Sequence, residues 1–189
     1  TTVWGYGAKA AQSNRGLLIH NAPSLTIEAV WSRPVRVKWI NELVKPDGSF
    51  RPHLLAVDQT LHWANPPGGI HGRDGHGSDQ DPYRGPVPLV THLHGGHSDQ
   101  QSDGYPEAWY LPAASNIPAG YATGGSFYDT FKSSAEAFEP TNPIVWGAGN
   151  TTFQYANGQE ATTLWYHDHS LGMTRQNVYA GPAGFYLLR

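Results

Sequence analysis

Glycine and proline fill 37 of the 189 positions, 22 and 15 respectively. A glycine weakens a helix interior by about 1 kcal/mol and a proline by about 3 kcal/mol, so a helical bundle or coiled coil is excluded. Charged residues make up only 14% of the chain, against about a quarter in an ordinary soluble domain, while aromatics reach 12%. This mixture is that of short strands joined by long loops, not of a disordered tail. Twelve Lys and Arg against 15 Asp and Glu exclude a basic nucleic-acid binder. No apolar run approaches the ~18 residues of a membrane helix. The length supports one domain over residues 1–189 with a sizeable core.

Strand signals recur along the chain at Leu17–His20, Ser24–Val30, Val35–Ile40, Leu54–Val57, Leu89–Leu93, Phe153–Tyr155, Thr162–Tyr166 and Phe185–Leu188. Val35, Val37 and Trp39 alternate with Arg36 and Lys38, which predicts a half-buried strand. Asn157-Gly158, between Phe153–Tyr155 and Thr162–Tyr166, predicts a hairpin. Helix is expected only for a turn or two around Thr174–Tyr179, closed by Gly181-Pro182. Ala64–Pro88 and Gly95–Ala135 read as long loops, a length usually reserved for function. The expected fold class is all-β, a Greek-key β-sandwich or barrel with long loops.

Ten histidines stand against no cysteine, so any metal site here must use His, Asp, Glu or Met. Two segments concentrate them: Thr91-His92-Leu93-His94-Gly95-Gly96 and Trp165-Tyr166-His167-Asp168-His169. Side chains alternate across a strand, so His92 and His94 share one face, as do His167 and His169. Two neighbouring strands would then aim four imidazoles, the commonest metal ligands, at one point. Gly95 and Gly96 would let backbone or an ion approach closely. His71 and His76 read as solvated, and His20, His53 and His62 as isolated. His97 reads as an outer neighbour of the site or as no part of it. Asp168, pointing away from its neighbours, reads as hydrogen-bonded behind the strand. Trp165, Tyr166, Trp109 and Tyr110 read as core or loop-packing aromatics. The first segment also partly matches the His-x-His-x-Asp-His zinc motif of metallo-β-lactamase-fold hydrolases, but Gly96 stands where the Asp belongs.

The two histidine segments resemble those of the first cupredoxin domain of multicopper oxidases. Val3-Trp4-Gly5-Tyr6, Leu25-Thr26-Ile27-Glu28, Val37-Lys38-Trp39-Ile40-Asn41, Val57-Asp58-Gln59-Thr60-Leu61-His62, Ser102-Asp103-Gly104-Tyr105-Pro106-Glu107-Ala108-Trp109 and Thr174-Arg175-Gln176-Asn177-Val178-Tyr179-Ala180-Gly181 are similar to the spore-coat laccase, phenoxazinone synthase and bilirubin oxidase branch. The resemblance implies a cupredoxin-like fold and an oxidase. Such an enzyme takes electrons from phenolic, aminophenolic or bilin-type substrates at a type 1 copper and reduces dioxygen to water at a trinuclear copper cluster. It implies His92 on the type 2 copper, and His94, His167 and His169 on the type 3 pair. It further implies Asp103 as a catalytic acid relaying protons beside the cluster; the plain alternative is that Asp103 caps the turn before Gly104.

The type 1 site of that family requires a cysteine, which this chain lacks, and Met173 lies beside the second histidine segment, where it serves no type 1 copper. The resemblance therefore implies a partner, a second polypeptide or further domains carrying the type 1 copper and the other cluster histidines. A stand-alone copper- or zinc-binding β-domain without oxidase activity is the alternative. A first residue Thr1 without Met, and the Asn150-Thr151-Thr152 glycosylation sequon, point to a secreted protein; spore coat or cytoplasm are the alternatives.

Overall fold

Alternating inward residues on four strands build the two layers of the molecule. The computed structural model describes residues 2–9, 18–77 and 79–189. Its elements are β1 (Gly7–Lys9), β2 (Leu18–His20), β3 (Ser24–Ala29), β4 (Val35–Ile40), β5 (His62–Trp63), α1 (Gly69–Gly72), β6 (Gly75–His76), β7 (Thr91–His94), α2 (Tyr128–Phe138), β8 (Asn150–Tyr155), β9 (Thr162–Asp168), α3 (Thr174–Tyr179) and β10 (Ala183–Leu188). One sheet has the order β3-β10-β9-β7, with β3 and β10 parallel and the other pairs antiparallel. β4 and β8 pair antiparallel as a second layer. β1 pairs with β2, and β5 with β6.

β4 turns Trp39 inward, β8 turns Phe153 and Tyr155, β9 turns Leu164 and Tyr166, and β10 turns Tyr186 and Leu188. The layers meet in an aromatic seam. Trp39 lies 5.1 Å from Tyr166, and Tyr155 lies 5.8 Å from Tyr186, between ring centroids. The Trp39 indole N–H donates to the Tyr155 hydroxyl at 3.1 Å, so the polar end of each ring is satisfied inside the core. This is the all-β sandwich that the alternation predicts, of the cupredoxin type that the resemblance implies. No helix among the described residues is long and apolar enough to cross a membrane.

Four local expectations change. The Asn157-Gly158 turn does not make a hairpin, because β8 and β9 belong to different sheets. Asn157 does adopt the left-handed conformation, with φ 56°. It is buried, donates to Arg33 O at 2.7 Å, and accepts from the Tyr186 hydroxyl at 2.7 Å, so it anchors a crossover between layers. Leu54–Val57 is no strand; Leu54 and Leu55 are exposed and only Val57 makes a single bridge, to Tyr83. The segment Gly95–Ala135 holds most of α2, whose buried Phe131 and Ala135 lie one turn apart. Phe131 packs edge-on to Tyr105 and stacks with Phe127, contacts that a window of local sequence does not reveal. The Gly-rich segment after Ala64 contains α1 and β6. Of the run Leu17–His20, Leu17 lies outside the described residues and the rest forms β2.

Candidate metal centre

The register of β7 on β9 decides where the histidines point. His92 stands directly opposite His167, and His94 opposite Trp165. Opposed residues of antiparallel strands share a face. Leu93 and Tyr166, the intervening pair, are buried on the other face. β9 ends at Asp168, so alternation alone does not place His169. Its backbone N–H donates to Val90 O at 2.8 Å, which carries the strand direction one residue further.

All four rings converge. His92 lies 5.6 Å from His94, 5.6 Å from His167 and 4.6 Å from His169, between centroids. His94 and His167 are 5.5 Å apart, and His167 and His169 5.8 Å. One ring nitrogen each of His92, His94 and His167 falls within 4.8 Å of the others, close enough to hold a metal ion between them.

Backbone carbonyls set the ring orientations. Nδ1–H of His92 donates to Asp103 O at 2.5 Å, that of His167 to Asp168 O at 2.7 Å, and that of His169 to Gly104 O at 2.9 Å. Each bond fixes the tautomer and leaves the Nε2 lone pair for a metal. His94 differs. Its Nδ1 faces His167 Nε2 at 3.3 Å, and its ring packs on Trp165 at 5.2 Å. Burial holds the pKa of His92 below the ordinary imidazole value and lowers that of His167 to about 4. Both rings are therefore neutral at physiological pH, the form that ligates metal. An all-imidazole donor set with no sulfur fits copper(II), which tops the affinity order for nitrogen sites.

Gly104 makes this possible. At φ 78°, it lies so close to β7 that a Cβ would sit 2.1 Å from Thr91 O. That contact brings the carbonyls of residues 103 and 104 against the two rings. Asp103 caps the preceding turn, and its Oδ1 also lies 3.6 Å from His92 Nδ1. Gly95 and Gly96 have a different use from the expected one. Gly95 turns the chain at φ 83°, and side chains at the two positions would press on Leu164 and Leu93.

Trp165 is not a core residue. It is 37% exposed, and its indole lies 4.1 Å from the His167 ring. It forms one wall of an open, largely apolar groove with Leu55, Val178 and Tyr179. Because no backbone carbonyl among the described residues holds the His94 ring, its packing on Trp165 sets its orientation. Trp165→Ala is expected to weaken copper binding roughly tenfold, as loss of ligand-orienting neighbours does, and Trp165→Phe to retain most of it. Equilibrium titration of the full-length protein with copper checks this.

Elsewhere, Asp168 is buried behind the strand as expected and accepts from Val90 N, Ser170 N, Ser170 Oγ and Asn177 Nδ2. Burial raises its pKa to about 6, against the pull of those donors. Tyr166, Trp109, Tyr110 and Met173 are buried in the core. His97 is exposed, with its backbone N–H on Gln159 Oε1. His20 is exposed and His53 buried. His62 and His76, read as isolated and solvated, in fact lie side by side.

Two neighbouring strands that bring four imidazoles together on an all-β sandwich define the candidate metal centre of a cupredoxin-type domain. No protein-family model matches the chain. Individual relatives do. It is 36% identical to a laccase from Bacillus stratosphericus over 88% of its own length and 23% of the relative's. It is 32% identical to the laccase of Bacillus subtilis over 100% of its own length and 25% of the relative's. It is 31% identical to the multicopper oxidase LPR1 of Arabidopsis thaliana over 100% and 23%. A laccase from Pediococcus acidilactici superposes with a TM-score of 0.42 at 13% identity, over 87% of this chain and 19% of that one. The chain belongs to the multicopper oxidase family, as a cupredoxin domain of that type. It spans about a quarter of the length of the curated relatives it matches.

Proposed function

We propose that this chain supplies half of the trinuclear copper cluster of a laccase-like oxidase. The observation that carries the reading is the convergence of His92, His94, His167 and His169, with His92, His167 and His169 oriented by backbone carbonyls. In this reading His92 holds the type 2 copper, and His94, His167 and His169 hold the type 3 pair. The closeness of His94 Nδ1 to His167 Nε2 supports one ion shared by these two rings. Copper, when bound, supplies the one-electron chemistry that takes dioxygen to water. The chain's own residues keep the His92 and His167 rings neutral through burial and orient the His92, His167 and His169 rings through backbone carbonyls. Asp103, with a side chain 40% exposed and an oxygen 3.6 Å from His92, takes protons from solvent toward the centre.

The phenolic, aminophenolic or bilin-type donor is oxidised at a type 1 copper on a partner chain or on further domains, since this sequence has no cysteine to build one. The exposed aromatics near Trp165 support such a partner: Tyr179, 81% exposed, lines the groove that Trp165 walls, and Phe185, 52% exposed, stands opposite Trp165 on β10. The export proposal rests on the sequence. The sequon residue Asn150 opens β8, half-buried, with its Nδ2 donated to Ala148 O.

Native purification followed by a denaturing gel and copper analysis tests the reading. Oxidase activity that travels with this segment together with a cysteine-containing segment, joined or separate, supports it. A lone band of this chain with copper and oxidase activity overturns it. Metal binding with neither partner nor activity favours the stand-alone metal-binding domain. Asp103→Asn is expected to leave copper content nearly intact, to slow dioxygen reduction roughly 10- to 100-fold, and to change its pH profile. An unchanged profile would return Asp103 to a turn-capping role.

A further inference from the structure

Outside the four-ring centre, tertiary structure brings a second pair of imidazoles together. β5 and β6 pair antiparallel with His62 directly opposite His76, and both side chains are exposed. Their ring centroids are 5.1 Å apart, with planes at 28°. Two imidazoles bound to one ion at the usual 2.0–2.1 Å, at a right or tetrahedral angle, have centroids about 5 Å apart. The pair also falls within the 4.6–5.8 Å spread of the four-histidine centre.

A second observation concerns the ring nitrogens. His62 Nε2–H donates to Asp74 O at 2.9 Å, which leaves the Nδ1 lone pair free. A ring N–H held by a backbone carbonyl is the usual partner of a metal-ligating histidine. Asp74 is itself rigid: its carboxylate accepts from Trp109 Nε1 at 2.5 Å and from Ser126 N at 2.6 Å, and its N–H donates to Ala64 O at 2.9 Å. The imidazole of His62 is thus held on fixed backbone, while His76 faces it across the strand pair. The pair also sits against the segment that follows the centre. Ala64 N donates to Leu171 O, and a Cβ on Gly172 would meet His62 O at 2.2 Å.

We propose that His62 and His76 form a two-imidazole surface site for a divalent transition-metal ion, copper(II) before zinc(II), separate from the four-histidine centre. Water completes the coordination of the exposed ion. The order follows the general rise of nitrogen-site affinity to copper(II).

The test is titration of the full-length protein, its cluster already loaded, with copper(II) at neutral pH, followed by calorimetry and electron paramagnetic resonance. One further equivalent is expected, with hyperfine coupling to two nitrogens. His76→Ala should remove that equivalent or weaken it at least tenfold. Because His76 is exposed, thermal unfolding of that variant should match the parent and separate loss of the site from loss of the fold. His71→Ala, on neighbouring α1, should leave the equivalent in place. An equivalent that persists in His76→Ala, or disappears in His71→Ala, overturns the proposal. The readout is binding, so it stands apart from whether the cluster turns over.

Discussion

Asp168→Ala is expected to lower folding stability by about 4 kcal/mol and to strip copper from the centre. Asp168 is fully buried, and its carboxylate gathers four donors: Val90 N, Ser170 N, Ser170 Oγ and Asn177 Nδ2, at 2.9–3.2 Å. Ser170 Oγ and Asn177 Nδ2 retain Pro88 O as an alternative acceptor. The Val90 and Ser170 backbone N–H groups would be left buried and unpaired, at roughly 1–3 kcal/mol each, with the charge-assisted bonds lost in addition. These donors flank the ligands. Val90 O receives the His169 N–H, and Ser170 follows His169 directly. Loosening them moves two of the four rings. Asp168→Asn keeps an acceptor oxygen and should lose less, about half as much. Burial raises the Asp168 pKa to about 6 from 3.8, so this group favours folding most below pH 3.8 and loses that contribution as pH rises through about 6. Urea denaturation with copper analysis decides the matter; an Ala variant within about 1 kcal/mol of the parent would contradict the argument.

The second large effect is acid sensitivity centred on His53. This ring is 4% exposed, its Nε2 has no partner among the described residues, and it packs between Trp4 and Tyr83 at 6.2 and 5.5 Å. Burial lowers its pKa to about 3 from 6.5. The unfolded chain then binds one more proton than the folded one between those values. Stability contributed here is present above pH 6.5 and is lost as pH falls toward about 3, at about 1.4 kcal/mol per unit. By pH 5 the loss is about 2 kcal/mol. His167, lowered to about 4 by burial, adds to the same slope in the copper-free protein. His53→Phe keeps the ring packing and removes the proton. It should therefore flatten the pH dependence of stability by about one proton and be more stable than the parent at pH 5. Denaturation curves at pH 5 and pH 7 measure the difference. An equal slope in both proteins would mean that His53 is not the acid-sensitive group.

Much of this molecule is local enough to be legible in one dimension. The inward residues of β4, β8, β9 and β10 repeat every second position, and a pleated strand can bury them only one way. The same period puts His92 with His94, and it sets Asp168 behind the ligands. Asn157 takes a left-handed conformation, as an Asn before a Gly readily does, but the hairpin expected there does not form. What that turn joins is not local. β8 leaves for one layer and β9 enters the other, because Phe153 and Tyr155 find their neighbours across the sandwich and not across the turn.

The sequence by itself determined the all-β class, the four candidate ligands and the absence of a type 1 copper site, because each depends on residue identity and a strand period of two. Tertiary structure alone decided the rest. The register of β7 on β9 sets His92 against His167. The carbonyls of Asp103 and Gly104 arrive from a loop to orient two rings, and Trp165 turns outward onto His94 and His167. His62 meets His76 only because β5 pairs with β6. Each of these depends on which distant segment packs against which, and that choice is made by the burial of whole sheet faces.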